Sequence, residues 1–536
     1  MAKNLMGGNQ TVETEESRTY RLRWWTLLVL ALSTLVVSLN ASVLNVALPT
    51  IQSELGATVT QIQWIANIYM MMVGALLLTF GALTDKLGRA KILQGGLVVF
   101  CLANFGAAFS TDATHLIIAR AFMGVSVAMM QSCVLAIIVC TFPGEERGKA
   151  IGVWAGIVGS GIALGSITGG IILQTLSWEW IFVFNFCMGA IALVLGWFLV
   201  PDSRDARPQR LDVFGSILFF AGIASLIYGL NNAGSNGWTD PIVLGTILSS
   251  LGVLIIFVRW EQQRPNPILD MSFFRSASFT TSLAAISILL FSFVGIHYLL
   301  TFYMQFAKGY TPLETGVRYI PLAAGGLIGS MLSDRLVTRL GMKLVTSLGF
   351  IGGALVFLSM AFLKITTPFN QLGPELFLLG FLNGSANAPI RTMLMRSLPT
   401  AKAGIGSAVN NIATYVMGSI SVAALGSILS TIYSDRFMKA ATSFEGISDD
   451  LLDKASDSIG GAIKITESGH IPPDMVDPFT SAARHSFMDG WQIVAIVLCG
   501  ICVVGTVICL WIMPGRPDES KGTTNQKTIS GDETEP

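Results

Sequence analysis

The chain has 536 residues, of which 52% are hydrophobic and only 12% are charged. A soluble domain typically carries about 25% charged residues, so this composition excludes an ordinary soluble enzyme. The 33 basic residues are balanced by 33 acidic ones, which excludes a nucleic-acid-binding protein held by bulk positive charge. The seven cysteines all lie in apolar stretches, so no disulfide framework is predicted.

The apolar residues are gathered into segments long enough to cross a bilayer, which takes about 20 predominantly apolar residues per helix. Fourteen segments meet this requirement. In chain order, spans 1 to 14 are 24–49, 60–82, 91–110, 114–141, 148–173, 180–200, 211–231, 241–260, 278–306, 313–337, 343–364, 373–397, 403–431 and 490–513. The sequence therefore predicts an all-α membrane protein with fourteen transmembrane helices.

Lys and Arg residues are concentrated in every second loop between the spans. Arg21 precedes span 1, Arg89 follows span 2 and Arg147 follows span 4. The short loops on the other side contain only Lys308 and Lys364. By the positive-inside rule, the basic loops and both chain termini are predicted to be cytoplasmic, in the cell membrane.

The turn between spans 2 and 3, residues 81–91, combines glycines with Asp85 and Arg89. The glycines allow a tight turn, and these two side chains, with Arg147 from the next basic loop, can close the cytoplasmic side through charge-assisted hydrogen bonds. A weaker copy, residues 336–341, follows span 10, as expected for a transporter built from two related halves. The alternative is a basic turn that only sets the topology.

Span 4 contains Arg120, and an arginine inside the membrane is costly enough to indicate a functional site. The alternative is an arginine near the outer end of the helix whose head reaches the interface. Span 5 carries a second signal, a series of small residues that would let a neighbouring backbone approach closely. The series consists of Gly152, Gly161, Gly165, Gly169 and Gly170.

Four further motifs can be identified: Gln63-Trp64 with Tyr69, 177–182 with Asn185, Tyr303-Met304-Gln305 and 403–411. Together with residues 81–91, Arg120 and the glycine series, they cover nearly the whole chain. The sequence resembles the fourteen-helix drug:proton antiporter branch of the major facilitator superfamily. The resemblance implies two pseudo-symmetric six-helix bundles, spans 1–6 and 9–14, with spans 7 and 8 inserted between them. It also implies that Arg120 faces the transport pathway and that the span-5 glycines form the antiporter motif.

These boundaries divide the chain into five parts. Residues 1–23 are predicted to be a cytoplasmic tail, 24–200 the first bundle and 201–277 a linker with spans 7 and 8. Residues 278–513 are predicted to be the second bundle, including a long external loop at 432–489, and 514–536 a second cytoplasmic tail.

The sequence departs from the family where proton coupling is expected. Asn40 stands where the family usually has an Asp in span 1, and no Asp or Glu lies near a predicted midplane. Amides with a single buried Arg suit a neutral, zwitterionic or anionic substrate. The predicted substrate-binding side chains are Asn40, Tyr69, Arg120, Gln131, His297, Tyr303, Gln305, Asn383 and Asn387, with His297 and Arg120 as candidates for proton coupling.

The predicted function is secondary active efflux of small amphipathic compounds, drugs or metabolites, coupled to protons and working by alternating access. The alternative is a substrate-specific metabolite exporter, or a uniporter without proton coupling. We expect no enzymatic activity, because no nucleotide-binding loop or catalytic triad is visible. Nor do we expect a cofactor, a metal ion or a nucleic-acid partner, and we expect a monomer in the bilayer.

Overall fold

The computed structural model describes residues 3–203, 212–264, 271–398, 403–442, 444 and 447–512, and every regular element in these ranges is helical. The helices are α1 (Lys3–Leu55), α2 (Val59–Leu87), α3 (Arg89–Ala108), α4 (Ala113–Thr141), α5 (Gly144–Thr175), α6 (Trp180–Leu199), α7 (Val213–Asn236), α8 (Pro241–Gln263), α9 (Ala277–Phe302), α10 (Pro312–Arg318), α11 (Ile320–Leu340), α12 (Met342–Met360), α13 (Phe369–Arg396), α14 (Ala403–Ala441), α15 (Asp449–Asp457), α16 (Ile459–Glu467) and α17 (Val476–Trp511). A 3-10 turn, Met271–Arg275, precedes α9, and a π-helical turn, Tyr303–Ala307, follows it.

Ten helices within the described ranges are long and apolar enough to cross a membrane: α1, α3, α4, α6, α7, α8, α9 with its π turn, α12, α14 and α17. The other four predicted spans lie in α2, α5, α11 and α13, which have 29, 32, 21 and 28 residues. Span 10 is divided into α10 and α11. The predicted external loop 432–489 contains the end of α14, the short helices α15 and α16, and the start of α17.

Polar side chains fix where several helices begin. Thr58 and Gln61 form a capping box at the start of α2, and Thr311 and Glu314 form another at α10. The Asp112 side chain accepts hydrogen bonds from two backbone N–H groups of the first turn of α4. Each cap satisfies N–H groups that have no partner inside the helix, so these helix starts are encoded locally.

Two turns show that the sequence repeat is also a structural repeat. Gly88 alone separates α2 from α3, with φ of 112°, and Gly341 alone separates α11 from α12, with φ of 82°. A side chain at either position would be strained, because L-residues rarely adopt these angles. A Cβ at Gly88 would also lie 2.5 Å from the Asp202 carboxylate.

The same set of helix neighbours occurs twice. In the first half, α1 packs on α4, α5 and α6, α2 packs on α4, and α3 packs on α4 and α6. In the second half, α9 packs on α13, α14 and α17, α11 packs on α13, and α12 packs on α13 and α17. The halves meet through α2 with α14 and through α5 with α10 and α11, while α7 and α8 pack together and α7 contacts α2 and α14.

The bundle has two distinct ends. We call one the basic end, because Lys86, Arg89 and Arg147 lie there, at the turns that join α2 to α3 and α4 to α5, with Arg23 of α1 paired to Glu146 beside them. The other is the cap end, where α15 and α16 lie against α1, α14 and α17. The helices α1 to α9 run alternately between the two ends.

Candidate functional site

Among the described side chains of the first half, Arg120 is the most deeply buried charged one, only 2% exposed. Its Nη1 donates to Asn40 Oδ1 at 2.6 Å, and its Nε donates to the Ile65 carbonyl at 3.2 Å. Its guanidinium carbon lies 4.3 Å from the centre of the Tyr69 ring, within the range of a cation–π contact. The helices α1, α2 and α4 therefore bring three predicted site residues together.

No carboxylate among the described residues contacts Arg120. The nearest polar layer consists of amides, because Asn40 Nδ2 donates in turn to Asn104 Oδ1 at 3.4 Å. A buried cation held by neutral acceptors keeps its full charge, and that charge is poorly screened in a protein interior. The first half thus contains a fixed positive centre inside an amide shell.

His297 lies where α9 meets α1. Asn45 Nδ2 donates to the His297 carbonyl at 3.1 Å and to Thr301 Oγ1 at 3.2 Å, and Tyr319 Oη donates to the same carbonyl at 3.0 Å. The Tyr319 ring meets the imidazole edge-on at 4.6 Å. The imidazole Nε2 is buried and has no hydrogen-bond partner in the described part of the chain.

Further hydrogen bonds join the two halves at other positions. We call them, with the bonds made by Asn45, the cap-end seam, because all of them lie toward that end or near the middle of the bundle. They are Gln305 to the Val46 carbonyl at 2.8 Å, Gln52 to Ser458 at 3.0 Å, Ser419 to the Asn67 carbonyl at 3.3 Å and Gln131 to Tyr415 at 3.2 Å. Two predicted site residues, Gln131 and Gln305, are therefore contacts between the halves.

The glycine series of α5 is divided among three surroundings. A Cβ added at Gly161, Gly165 or Gly169 would meet α1, at 2.5 Å from Ser38 for the first of them. A Cβ at Gly170 would meet the Leu313 backbone of α10 at 2.7 Å, whereas a Cβ at Gly152 would meet nothing within 4 Å. The series thus packs α5 tightly on α1 and, at its cap end, on the other half.

Two of the predicted gating residues, Arg89 and Arg147, contact groups of the first half. Arg89 Nη1 donates to Cys140 Sγ at 2.6 Å, and Arg147 Nε donates to the Phe142 carbonyl at 2.9 Å. The side chain of Asp85 lies outside the described part of the structure. The sequence analysis missed the ion pair between Arg23 and Glu146, 2.8 Å long, which ties α1 to the start of α5. The hydrogen-bonded Arg23 guanidinium lowers the pKa of the Glu146 carboxyl.

The remaining predicted site residues belong to the second half. Tyr303 is fully buried, stacks on Trp491 at 4.8 Å and donates to the Lys364 carbonyl, so it packs inside that half. Asn383 and Asn387 are half-buried on one face of α13. Arg391 lies four residues after Asn387, one turn further along the same face, and is exposed. The sequence analysis did not select Arg391, although the spacing of four residues places it on the same helix face as Asn387.

A family model described as Major Facilitator Superfamily matches residues 30–422. The chain belongs to the major facilitator superfamily. The resemblance seen in the sequence is thereby confirmed, and the protein is a membrane-spanning transporter and not an enzyme.

Relatives within the superfamily align over most of the chain. It is 26% identical to the tetracenomycin C resistance and export protein of Streptomyces glaucescens, over 92% of this chain and 93% of that protein. It is 29% identical to a methyl viologen resistance protein of Salmonella typhimurium, over 91% of this chain and 98% of that protein. It is 28% identical to the multidrug efflux pump LfrA of Mycolicibacterium smegmatis, over 91% of this chain and 97% of that protein.

A solved structure supports the fold. A bacterial homologue of the human lysosomal transporter Spinster, in an inward-facing and unoccupied conformation, superposes with a TM-score of 0.64. The match covers 92% of this chain and 98% of that one, at 14% sequence identity.

Proposed function

We propose that the protein is a secondary active exporter of small amphipathic compounds that works by alternating access. The observation that carries the proposal is the repeated set of helix neighbours, with the two halves joined by a polar seam. Two similar halves around one interface can rock against each other about a central site. The names of the relatives, which refer to export of or resistance to drugs, support efflux as the direction.

The topology follows from the same proposal. All fourteen predicted spans cross the membrane, with α1–α6 as one six-helix bundle, α9–α14 with α17 as the other, and α7 and α8 inserted between them. The basic end faces the cytoplasm, as do both termini, by the positive-inside rule. The conformation described here, in which the cap-end seam is formed, is then closed to the outside.

The substrate site lies between the Arg120 cluster and the cap-end seam. Asn40, Tyr69 and Arg120 form its wall in the first half, and His297, Gln305, Asn383 and Asn387 contribute from the second. The fixed charge of Arg120 in an amide shell favours neutral, zwitterionic or anionic substrates. Electrostatic complementarity of this kind selects partners by charge.

Proton coupling, if the exporter uses it, requires a group other than Asn40, since an amide does not titrate. His297 is our candidate, because imidazole is the side chain whose ordinary pKa lies near neutrality. Its carbonyl is held by Asn45 and Tyr319, so protonation of the ring would act on the seam that must open. The positive charge that protonation places on His297 would also act electrostatically on the Arg120 guanidinium.

The gate at the basic end is assigned to Asp85, Arg89 and Arg147. These residues lie at the turns joining α2 to α3 and α4 to α5, where charge-assisted hydrogen bonds would form when the cytoplasmic side closes. In the present conformation Arg89 donates to Cys140 and Arg147 donates to the Phe142 carbonyl, both in the first half.

A second candidate is an exporter of one metabolite, or a uniporter, that is not coupled to protons. Arg120 without a carboxylate partner favours it, because the usual exchange of a proton for a cation at a buried acid has no acid here.

Transport by purified protein in proteoliposomes separates the two candidates. Anionic, zwitterionic, neutral and cationic compounds are tested with and without an imposed pH gradient. Concentrative transport that depends on the gradient supports proton-coupled export. Downhill flux of one compound, at a rate that does not depend on the pH gradient, supports the second candidate.

A further inference from the structure

Three basic side chains gather at the cap end of the second half. Lys308 follows the π-helical turn after α9, Arg318 is the last residue of α10, and Arg484 lies about two turns into α17. They lie around the turn at Gly309, whose φ of 71° favours glycine. A Cβ built on Gly309 would lie 3.8 Å from Arg484 Nη2. We call the three side chains the cation cluster.

Two aromatic rings hold Arg318 within the cation cluster. Its guanidinium carbon lies 3.8 Å from the centre of the Tyr310 ring and 5.3 Å from the centre of the Phe369 ring. The Lys308 ammonium lies 5.9 Å from the same Tyr310 ring and donates to two carbonyls of the loop before α13. Burial and the nearby charge of Arg318 lower the pKa of Lys308. The cations are therefore close enough to act on one anionic group.

The charge of the cation cluster is only partly balanced. Glu314 is the one carboxylate paired with it within the described ranges, 3.6 Å from Arg318 Nη1, and an oxygen of Glu314 already caps α10. Arg484 has neither a hydrogen bond nor an ion pair in those ranges, and the Nε atoms of Arg318 and Arg484 are buried without a partner there. Three cations and one carboxylate leave two net positive charges. An anionic group with several oxygen atoms would be complementary to them.

The cation cluster lies where the helices reach the predicted edge of the membrane. Lys308 lies between predicted spans 9 and 10, and Arg484 precedes span 14 by six residues. Val317 and Ile320, on either side of Arg318 in the sequence, are exposed apolar side chains. The positive-inside rule gives no reason for a cation cluster at the end opposite the basic loops. Cations beside an exposed apolar surface at this depth match a lipid with an anionic headgroup.

We propose that the cation cluster binds the headgroup phosphate of an anionic phospholipid. The Arg318 and Arg484 guanidinium groups and the Lys308 ammonium contact the phosphate oxygens, and the acyl chains lie along the apolar surface that includes Val317 and Ile320. Arginine suits this role because its planar fork can donate two hydrogen bonds to one phosphate. Inorganic phosphate offers similar oxygens but no acyl chains. The proposal does not require transport, so it stands or falls separately from the proposed function.

Native mass spectrometry of the full chain in detergent measures the binding of single lipids. Phosphatidylglycerol and phosphatidylcholine with the same acyl chains are titrated separately, because both carry a phosphate but only phosphatidylglycerol has a net charge. We expect Arg484→Gln to weaken phosphatidylglycerol binding about fivefold and Arg318→Gln with Arg484→Gln about twentyfold, with smaller changes for phosphatidylcholine. Arg484→Lys, which keeps the charge, should retain most of the binding. Arg436→Gln, at an exposed arginine of α14 at the same end, is the control and should leave binding unchanged.

Thermal unfolding of the full chain in detergent distinguishes the lipid from inorganic phosphate. Phosphatidylglycerol should raise the melting temperature of the unmodified chain more than that of the double variant, since a ligand stabilises the folded state that it binds. Sodium phosphate should raise it no more than sodium chloride of equal ionic strength. The melting profile of each variant without lipid shows whether the substitution has impaired folding, and Arg484→Lys provides a variant with its charge intact.

Each outcome decides for or against the lipid site. Loss of phosphatidylglycerol binding in Arg484→Gln and in the double variant, with binding retained in Arg484→Lys and Arg436→Gln, supports it, even if no compound is transported in proteoliposomes. Equal losses for both lipids, or unchanged phosphatidylglycerol binding in the double variant, overturn it, even if the chain exports drugs. Stabilisation by sodium phosphate that the double variant loses would also overturn it, because the cation cluster would then be a site for free anions.

Discussion

Arg120 Nη1 and Asn40 Oδ1 are joined by a 2.6 Å hydrogen bond between two side chains that are each no more than 2% exposed. The amide gives the guanidinium an acceptor but no opposite charge. A buried ion without a charged partner is expensive, and its cost falls when a ligand or a carboxylate supplies the missing charge. Under the proposed function, this pair sets which substrate charge the first half favours.

Exchanging this amide for a carboxylate should reverse the charge preference. We expect Asn40→Asp to form an ion pair with Arg120, to weaken competition by anionic compounds about tenfold and to strengthen competition by cationic ones. The measurement is inhibition of transport in proteoliposomes by compounds of matched size. Asn236→Asp, at the exposed last residue of α7, is the control, and equal behaviour of the two variants would disprove a role for the Arg120 charge in selection.

His297→Gln tests the coupling proposal. Glutamine retains hydrogen-bonding groups but cannot titrate, so the variant should lose the pH dependence of transport while downhill flux continues. The backbone carbonyl that Asn45 and Tyr319 contact is unaffected by the substitution. His115→Gln, at an exposed histidine paired with Asp112, serves as the control. If His297→Gln still concentrates substrate when a pH difference is applied, the role of His297 is structural.

The glycines of α5 offer a matched pair for packing. A Cβ at Gly165 would lie 2.6 Å from Ser42 Cβ and 3.2 Å from the Leu39 carbonyl, so Gly165→Ala should cost about 1–3 kcal/mol of stability. Gly152→Ala meets nothing within 4 Å and should be neutral or stabilise the helix by up to about 1 kcal/mol. Thermal unfolding in detergent measures both. Equal melting temperatures would contradict tight α1–α5 packing.

The ion pair between Arg23 and Glu146 should stabilise the protein only where the carboxyl is ionised. The pKa of Glu146 is lowered in the folded chain, so the contribution is complete above the ordinary glutamate pKa of about 4.3 and is lost as the pH falls through the lowered value. The melting temperatures of the unmodified chain and Glu146→Gln should therefore differ at pH 7 and converge in acid. Glu145→Gln, at the neighbouring exposed residue, should show no such convergence.

Much of the fold could be predicted because membrane helices leave strong local signals. Long apolar runs marked the positions of the helices, and the repeat around Gly88 and Gly341 indicated two related halves before their turns were seen. The glycine spacing of span 5 indicated close packing, although it did not reveal that Gly170 contacts the second half while Gly152 contacts nothing. Which partner a face meets depends on tertiary packing, which no local pattern encodes.

The site was harder to predict for the same reason. Asn45 was apparent as a polar residue of span 1, but nothing in the sequence indicates that it holds the His297 carbonyl across the two halves. Tyr303 and His297 lie close together in the sequence, yet Tyr303 packs inside the second half and His297 lies at the interface. The short helices α15 and α16 lie in a segment that the sequence analysis treated as an external loop.

The central claim is that the cap-end seam must open for transport, and a disulfide across it tests this most directly. Asn45 and Thr301 are in contact at 3.2 Å, on α1 and α9. The double variant Asn45→Cys with Thr301→Cys, made in a background without the native cysteines, is assayed in proteoliposomes before oxidation, after it and after reduction. Each single variant, treated alike, is the control. We predict that oxidation abolishes transport in the double variant alone and that reduction restores it. Undiminished transport with the disulfide demonstrably formed would contradict alternating access across this seam.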